Sequence, residues 1–249
     1  MKVVSYAGVV PLKNTSEEKT GLLKKFIIGV NNCGDTGIHH RGFDLVDCDV
    51  AVIQGWQHQR GKSGSHLQLR QNIIDTQLQK SRYVITADSN LFLYANRSNT
   101  PYHYLRYSFN GVFPNTGIYC DNNPDPRRWQ QISEHTGIQL QKRKKKGKHI
   151  LLCLQRNGGW SMGATDVQDW IINTVHQIQK YTDRPIEVRL KPNRTERISN
   201  KSIEEALAGD VHCLITYNSI AATEALMNGK PAIALGPNAA SVVCNSSLS

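Results

Sequence analysis

The stretch from Thr216 to Pro237, TYNSIAATEALMNGKPAIALGP, holds the residues best placed to do chemistry. An apolar run, Leu214-Ile215-Thr216, ends at Asn218-Ser219. Ala221, Ala222, Ala225 and Leu226 follow at helical spacing until Gly229 and Pro231 stop them. The pattern is a strand, a capped helix and a second strand, PAIALG. With Asn218 or Ser219 as the cap, the backbone N–H groups of Ser219 and Ile220 and the positive end of the helix dipole are expected at a strand's carboxyl edge, where phosphate binds well. Glu224 is expected one layer below, able to accept hydrogen bonds from a ribose diol. An ordinary β-α-β unit carries the same spacing with Glu224 merely a solvated helix residue.

A second strand end offers matching chemistry. His149 to Gln155 reads as a buried strand that exits into Arg156-Asn157-Gly158-Gly159. The paired glycines Gly158 and Gly159 permit positive φ and close backbone approach to a ligand, and Arg156 is a natural diphosphate clamp. Ile186 to Leu190 is the next strand, followed by Lys191-Pro192; in the first half, Tyr83 to Ala87 delivers Asp88 at its carboxyl end.

Asn218 to Leu226 followed by Gly229-Lys230-Pro231 resembles the nucleotide-sugar half of GT-B glycosyltransferases, over about residues 149 to 237. The segment from Tyr83 to Trp129 resembles, in general character, the acceptor half of small bacteriophage DNA glycosyltransferases. The resemblance implies an α/β fold of two Rossmann-like domains facing a cleft: residues 1–141 for the acceptor, a basic linker at 142–148, and 149–249 for the nucleotide sugar. It implies a UDP-sugar donor, a second phosphate contact at Lys191 and a ribose contact at Glu224. Glycosyl transfer needs a stabilised leaving diphosphate and a base near the acceptor hydroxyl. Asp88 is the first candidate base, with Asp35 and His58 in reserve. The implied reaction is inverting transfer to a hydroxymethylated pyrimidine in DNA, a base that must be flipped out if it lies in duplex. The alternatives are a GT-B transferase or epimerase acting on polysaccharide precursors, and a non-catalytic nucleic-acid-binding protein. No D-x-D motif stands at a suitable strand end, so no obligatory metal ligand set is expected; no cofactor is required, and a divalent metal is left open. Only twelve residues follow Pro237, so the helix with which GT-B chains cross back to the first domain is expected to be short or missing.

Composition bounds these readings. The chain has 249 residues, 39% hydrophobic, enough for one large core or two modest ones. No run is long and apolar enough to span a membrane, and MKVVSYAGVVPLKN reads as a first strand rather than a signal peptide. A cytosolic monomer is expected, in the bacterial host if the chain is phage-encoded. Six scattered cysteines with no C-x-x-C pair read as buried thiols in a reducing compartment, not as a disulfide frame or zinc site.

The net charge of +10 is uneven: residues 1–141 carry +4, the run KRKKKGK at 142–148 carries +6, and residues 149–249 are neutral. Such asymmetry suits an anionic acceptor, although a basic run alone is commonly a solvated loop. The DNA-contact candidates are Lys142, Arg143, Lys144, Lys145 and Lys146, with Arg60 and Lys62 in the loop HQRGKSGSH and Arg106, Arg127 and Arg128 in the aromatic-rich segment 94–128. Rings there could stack on bases or anchor the segment on the core.

The remaining elements follow from periodicity. Val3 to Ala7 reads as a strand, residues 15–25 as loop or short helix, and Phe26 to Val30 as a second strand before the turn-rich Asn31 to Asp35. Cys48 to Trp56 reads as a buried strand. Ser65 caps a helix over 66–80 whose apolar face carries Leu67, Ile73, Ile74 and Leu78. A further helix is expected from Asp125 or Arg127 to His135. Thr165 caps one over 166–181, and Ser202 to Ala208 forms a short one. Alternating strands and helices predict open parallel sheets with sites outside the strands' carboxyl ends.

Overall fold

The computed structural model describes residues 1–10, 17–56, 64–88, 105–114, 116–119, 122–144, 146–155, 166–191 and 201–248. His58, Arg60, Lys62, Lys145, Arg156, Gly158, Gly159 and Thr165 lie outside the described residues. The chain divides into two units, each built on its own sheet.

The first sheet contains β1 (Lys2–Tyr6), β2 (Thr36–His40), β3 (Val50–Gln54), β4 (Tyr83–Asp88) and β5 (Arg106–Phe109), in the order β2-β1-β3-β4-β5. The first four are parallel and β5 pairs antiparallel with β4. The chain runs from β1 out to β2 and then crosses to β3 on β1's other side. The order therefore reverses beside β1, and the carboxyl ends at that reversal form the crevice where such sheets take ligands. Helices α1 (Glu17–Asn32) and α2 (Ser65–Gln79) complete the core with Val4, Val52, Ile53 and Val84, all fully buried.

Phe26 to Val30 is not a strand but the last part of α1. Leu23 and Ile27 are buried and Phe26 and Val30 pack against the core, while Ile28 is half exposed. That spacing satisfies a helix; a strand would have buried alternate residues. The missed strand is β2, at the sheet's edge, whose TGIHH has no apolar alternation and no buried residue. β5 was likewise hidden in the aperiodic segment after Asp88. Gly64, not Ser65, is the N-cap of α2. Its buried face is Leu69, Arg70, Ile73, Ile74 and Gln77, with Leu78 turned outward.

The second sheet has β6 (His149–Cys153), β7 (Ile186–Arg189), β8 (Val211–Thr216) and β9 (Ala232–Ala234), all parallel, in the order β7-β6-β8-β9. The reversal here lies beside β6. Helix α3 (Pro126–Thr136) precedes the sheet, capped by Asp125, which accepts from the Arg127 amide. Asp166 caps α4 (Val167–Gln179), whose Val167, Thr174 and Ile178 are buried. Ser202 and Glu205 form a reciprocal capping box on α5 (Ile203–Ala208). Helix α6 (Ala221–Met227) lays Ala221, Ala222 and Ala225 in a cluster with Leu214 of β8 and Ala232 of β9; α4 packs in a second cluster with Ile150, Leu152 and Ile215.

The basic segment is tied to this second unit. The Gln141 amide donates to the Met227 carbonyl at 2.8 Å, Lys144 to Gly229 at 2.7 Å, and Lys148 to Asp210 at 2.7 Å. The run is a hydrogen-bonded strap along the loops before β8 and β9 rather than a free loop. Divided at Asn122, where the main body of the second unit begins, the charge excess is +4 before and +6 after. The strap's positive field thus belongs to the unit expected to bind the nucleotide.

Candidate functional site

The carboxyl edge of the second sheet gathers four chain segments. Gln155 follows β6, Lys191 follows β7, Tyr217 to Ile220 follow β8, and Leu235 to Asn238 follow β9. Thr216 Oγ1 donates to the Cys153 carbonyl at 2.8 Å, stitching the ends of β8 and β6 together. Lys191 Nζ donates to Gln155 Oε1 at 3.1 Å, which sets the amine beside the end of β6. Leu235 and Gly236 donate to the carbonyls of Thr216 and Tyr217, and a side chain at Gly236 would run into the Tyr217 ring. Only glycine lets the β9 loop close on that ring.

The turn before α6 is more self-contained than its sequence suggests. The helix N-cap is Ile220, and no side chain caps it. Ser219 sits one residue earlier, where its Oγ accepts from the Ala221 amide at 3.3 Å and its carbonyl accepts from Ala222 at 3.2 Å. The Ser219 amide donates to Thr216 Oγ1 at 3.3 Å, and fully buried Asn238 donates from Nδ2 to the Ser219 carbonyl at 3.0 Å. Of the amides expected to be open to phosphate, that of Ser219 is therefore already bonded within the turn, as are those of Ala221 and Ala222 that follow. A diphosphate arriving here would compete with these long, weak bonds and would find a rigid, pre-shaped turn. Asn218 is buried beside it.

Glu224 is 3% exposed, so it is not a solvated helix residue. Its charge is one of those that help raise the Cys153 thiol, mainly by burial, to about 12. Lys230, at the centre of the Gly229-Lys230-Pro231 motif, is also buried; it donates to the carbonyls of Gly209 and Val211 at 2.9 and 3.2 Å. The lysine clamps the turn before β8, a structural duty that places the strand under α6.

In the first unit, Asp88 ends β4 and is ion-paired with Arg106 of β5, both side chains mostly buried. Asp35 precedes β2 at the opposite, amino edge of the sheet, where it holds the Met1 amino group at 2.5 Å. That edge is remote from strand ends where an acceptor would be met. The sequence reading missed two features at the carboxyl edge. His40 ends β2, pairs through Nε2 with Asp44 Oδ1 at 3.0 Å, and stacks edge-on with Tyr6. Arg70 of α2 is 7% exposed and donates to the carbonyls of Val9 and Trp56 at 3.0 and 3.3 Å. It thereby joins the loop after β1 to the loop after β3, and burial brings its guanidinium down to about 10. Its sequence signal is a cation three residues ahead of Ile73 on the helix's apolar stripe.

Among the cationic candidates, Arg127 is engaged with Asp125, and Arg106 with Asp88. Arg128, Lys142, Arg143, Lys144 and Lys146 have exposed side chains. No helix among the described residues is long and apolar enough to cross a membrane.

Both sheets share one plan, a parallel sheet with an order reversal beside the first strand and helices packed on it, the first with antiparallel β5 added at its edge, which defines a Rossmann-like α/β fold. This fold is similar to solved structures of KpsC from Thermosulfurimonas dismutans. Its beta Kdo 2,4 transferase matches with a TM-score of 0.55 and its beta Kdo 2,7 transferase with 0.51, each at 12% identity over 97% of this chain and 81% of that one. No protein-family model matches the sequence, and no curated protein matches it.

Proposed function

We propose that the chain is a GT-B-type glycosyltransferase that holds a nucleotide-activated sugar at the carboxyl edge of the second sheet. The observation that carries this reading is the likeness in fold, over nearly the whole chain, to two transferases. In this proposal the diphosphate lies against Ser219 and Ile220, with Lys191 and Arg156 as its cations and Glu224 at the ribose. These groups lower the cost of the charge that develops on the departing diphosphate. UDP is the nucleotide that the resemblance to GT-B glycosyltransferases implies.

The similar structures are named as Kdo transferases, and the first acceptor class is the polysaccharide precursor that the sequence offers as an alternative. The exposed cations of the strap favour a second acceptor, hydroxymethylated pyrimidine in DNA. One screen separates the two. Nucleotide sugars are incubated with acidic oligosaccharides, with hydroxymethylated DNA and with plain DNA, and products are read by mass spectrometry. Transfer to the oligosaccharide alone supports the first acceptor, and transfer to modified DNA alone supports the second. No donor consumption with any acceptor, together with no nucleotide binding by calorimetry, overturns the glycosyltransferase reading.

A further inference from the structure

A cavity of about 570 Å³ opens on the second unit over the sheet face on which α4 packs, and none of Gln155, Lys191, Tyr217 to Ile220 and Leu235 to Asn238 lines it. Its floor is apolar, made by Ile150 of β6, Ile215 of β8, Ile233 of β9 and Ile178 of α4. Its polar wall is one-signed: Arg143 of the strap and Arg184 after α4 line it together with His212, and no carboxylate side chain among the described residues does. Arg184 is held in place by bonds from Nε to the Gly147 carbonyl at 3.3 Å and from Nη1 to Thr182 Oγ1 at 3.1 Å, which leaves Nη2 for a ligand. Arg143 makes no hydrogen bond or ion pair with the described residues. The His212 imidazole is held below its usual proton affinity by burial and by the Arg184 charge, so the field of that guanidinium reaches the cavity wall.

The volume falls within the range of small-molecule sites, which are mostly apolar with a few placed polar groups. Two guanidinium groups, with no carboxylate side chain of the described residues in the lining, fit a carboxylate or phosphate, which they can hold by charge-assisted hydrogen bonds. We propose that this cavity is a second ligand site, separate from the nucleotide site, for an amphipathic anion: a carboxylate or phosphate on an apolar body. The apolar part lies over Ile150, Ile215 and Ile233, and the anionic head sits between Arg143 and Arg184. The proposal does not depend on the transferase reading, because no residue of the nucleotide edge takes part.

The test is a calorimetric titration of the full chain with octyl phosphate, octyl glucoside and inorganic phosphate, each below its aggregation limit. Saturable one-site binding of octyl phosphate is expected, at least tenfold tighter than either control. The His212 ring resonances should titrate at higher pH in its presence, since the anion offsets the Arg184 charge. R143Q/R184Q, altering two exposed side chains, should weaken octyl phosphate at least tenfold and leave octyl glucoside unchanged. Equal affinity for octyl glucoside would reduce the cavity to a bare apolar face. Equal affinity for inorganic phosphate, or no effect of the double substitution, would also overturn the proposal.

Discussion

Asp88 and Arg106 stand opposite each other in the register of β4 and β5, and their side chains form an ion pair only 15% and 11% exposed. The pair anchors the one antiparallel strand of the first sheet and occupies the carboxylate that a sequence reading offers as a base. Removing the charge strands a guanidinium in a desolvated place, which costs about 3 kcal/mol for buried pairs. Asp88→Asn should therefore lower the urea midpoint, and the added substitution Arg106→Gln should recover part of the loss. A variant of unchanged stability that has lost only turnover would instead return Asp88 to the role of base.

Glu224 is buried beneath the turn that begins α6. As a prediction, Glu224→Gln should weaken UDP and UDP-sugar binding by tenfold or more, since hydrogen bonds to a charged acceptor contribute about 1.5–3 kcal/mol. The control is Glu205→Gln, which alters the capping box of α5 and should leave nucleotide affinity alone. Calorimetry that gives the same affinity for the wild type and Glu224→Gln would take Glu224 out of the site.

The second unit was legible where burial on both faces imposes continuous apolar runs, as in HILLC and VHCLIT. The first was legible at VAVIQ for the same reason and misread at FIIGV, where a helix's apolar stripe happened to fall on adjacent positions. Edge strands β2 and β5 left no period because neither presents a buried face of alternate apolar residues: in β2 no residue is buried, and in β5 only Ser108 is. At the site, the small residues of Ala221 to Ala225 announced the close packing of α6, but not that Thr216 and Asn238 would already bond the turn. Those bonds depend on how the turn folds back and on a loop 19 residues further along the chain. Arg70 was legible only as a misplaced cation, since the carbonyls it joins lie 14 and 61 residues away.

Asp47 gives a pH prediction. It accepts from Lys80 Nζ at 2.8 Å and Arg82 Nη1 at 2.7 Å, and those hydrogen bonds, Lys80's first, hold its carboxyl down at about 2. A carboxylate depressed by folding stabilises the fold above its ordinary pKa, near 4, and that stabilisation is lost as the pH falls toward about 2. Asp47→Asn should therefore have a lower Tm than wild type at pH 7, with the gap closing between about pH 4 and pH 2. Asp47 and Lys80 are exposed and Arg82 partly so, so the gap at pH 7 should also shrink in high salt. A gap that persists at pH 2 would mean that Asp47 acts through something other than its charge.

The basic strap separates into a backbone that fixes its path and side chains that supply its field. Gly229 has φ of +71°, and a Cβ there would collide with the Lys142 carbonyl, so Gly229→Ala should destabilise by about 1–3 kcal/mol and displace the strap. Replacing Lys142, Lys144 and Lys146 with Gln keeps the main-chain bonds from Gln141 and Lys144, and should leave stability within about 0.5 kcal/mol. If the strap docks a polyanion, this triple variant should bind DNA or an acidic polysaccharide more weakly, and the slope of log affinity against log salt should fall by nearly one for each phosphate of duplex DNA that is no longer neutralised. Filter binding across a salt series measures that slope for both polymers. An unaltered slope for DNA alongside a reduced one for the polysaccharide would assign the strap to the glycan acceptor, the reverse pattern would assign it to DNA, and no change in either would leave Lys142, Lys144 and Lys146 as solvated surface charge.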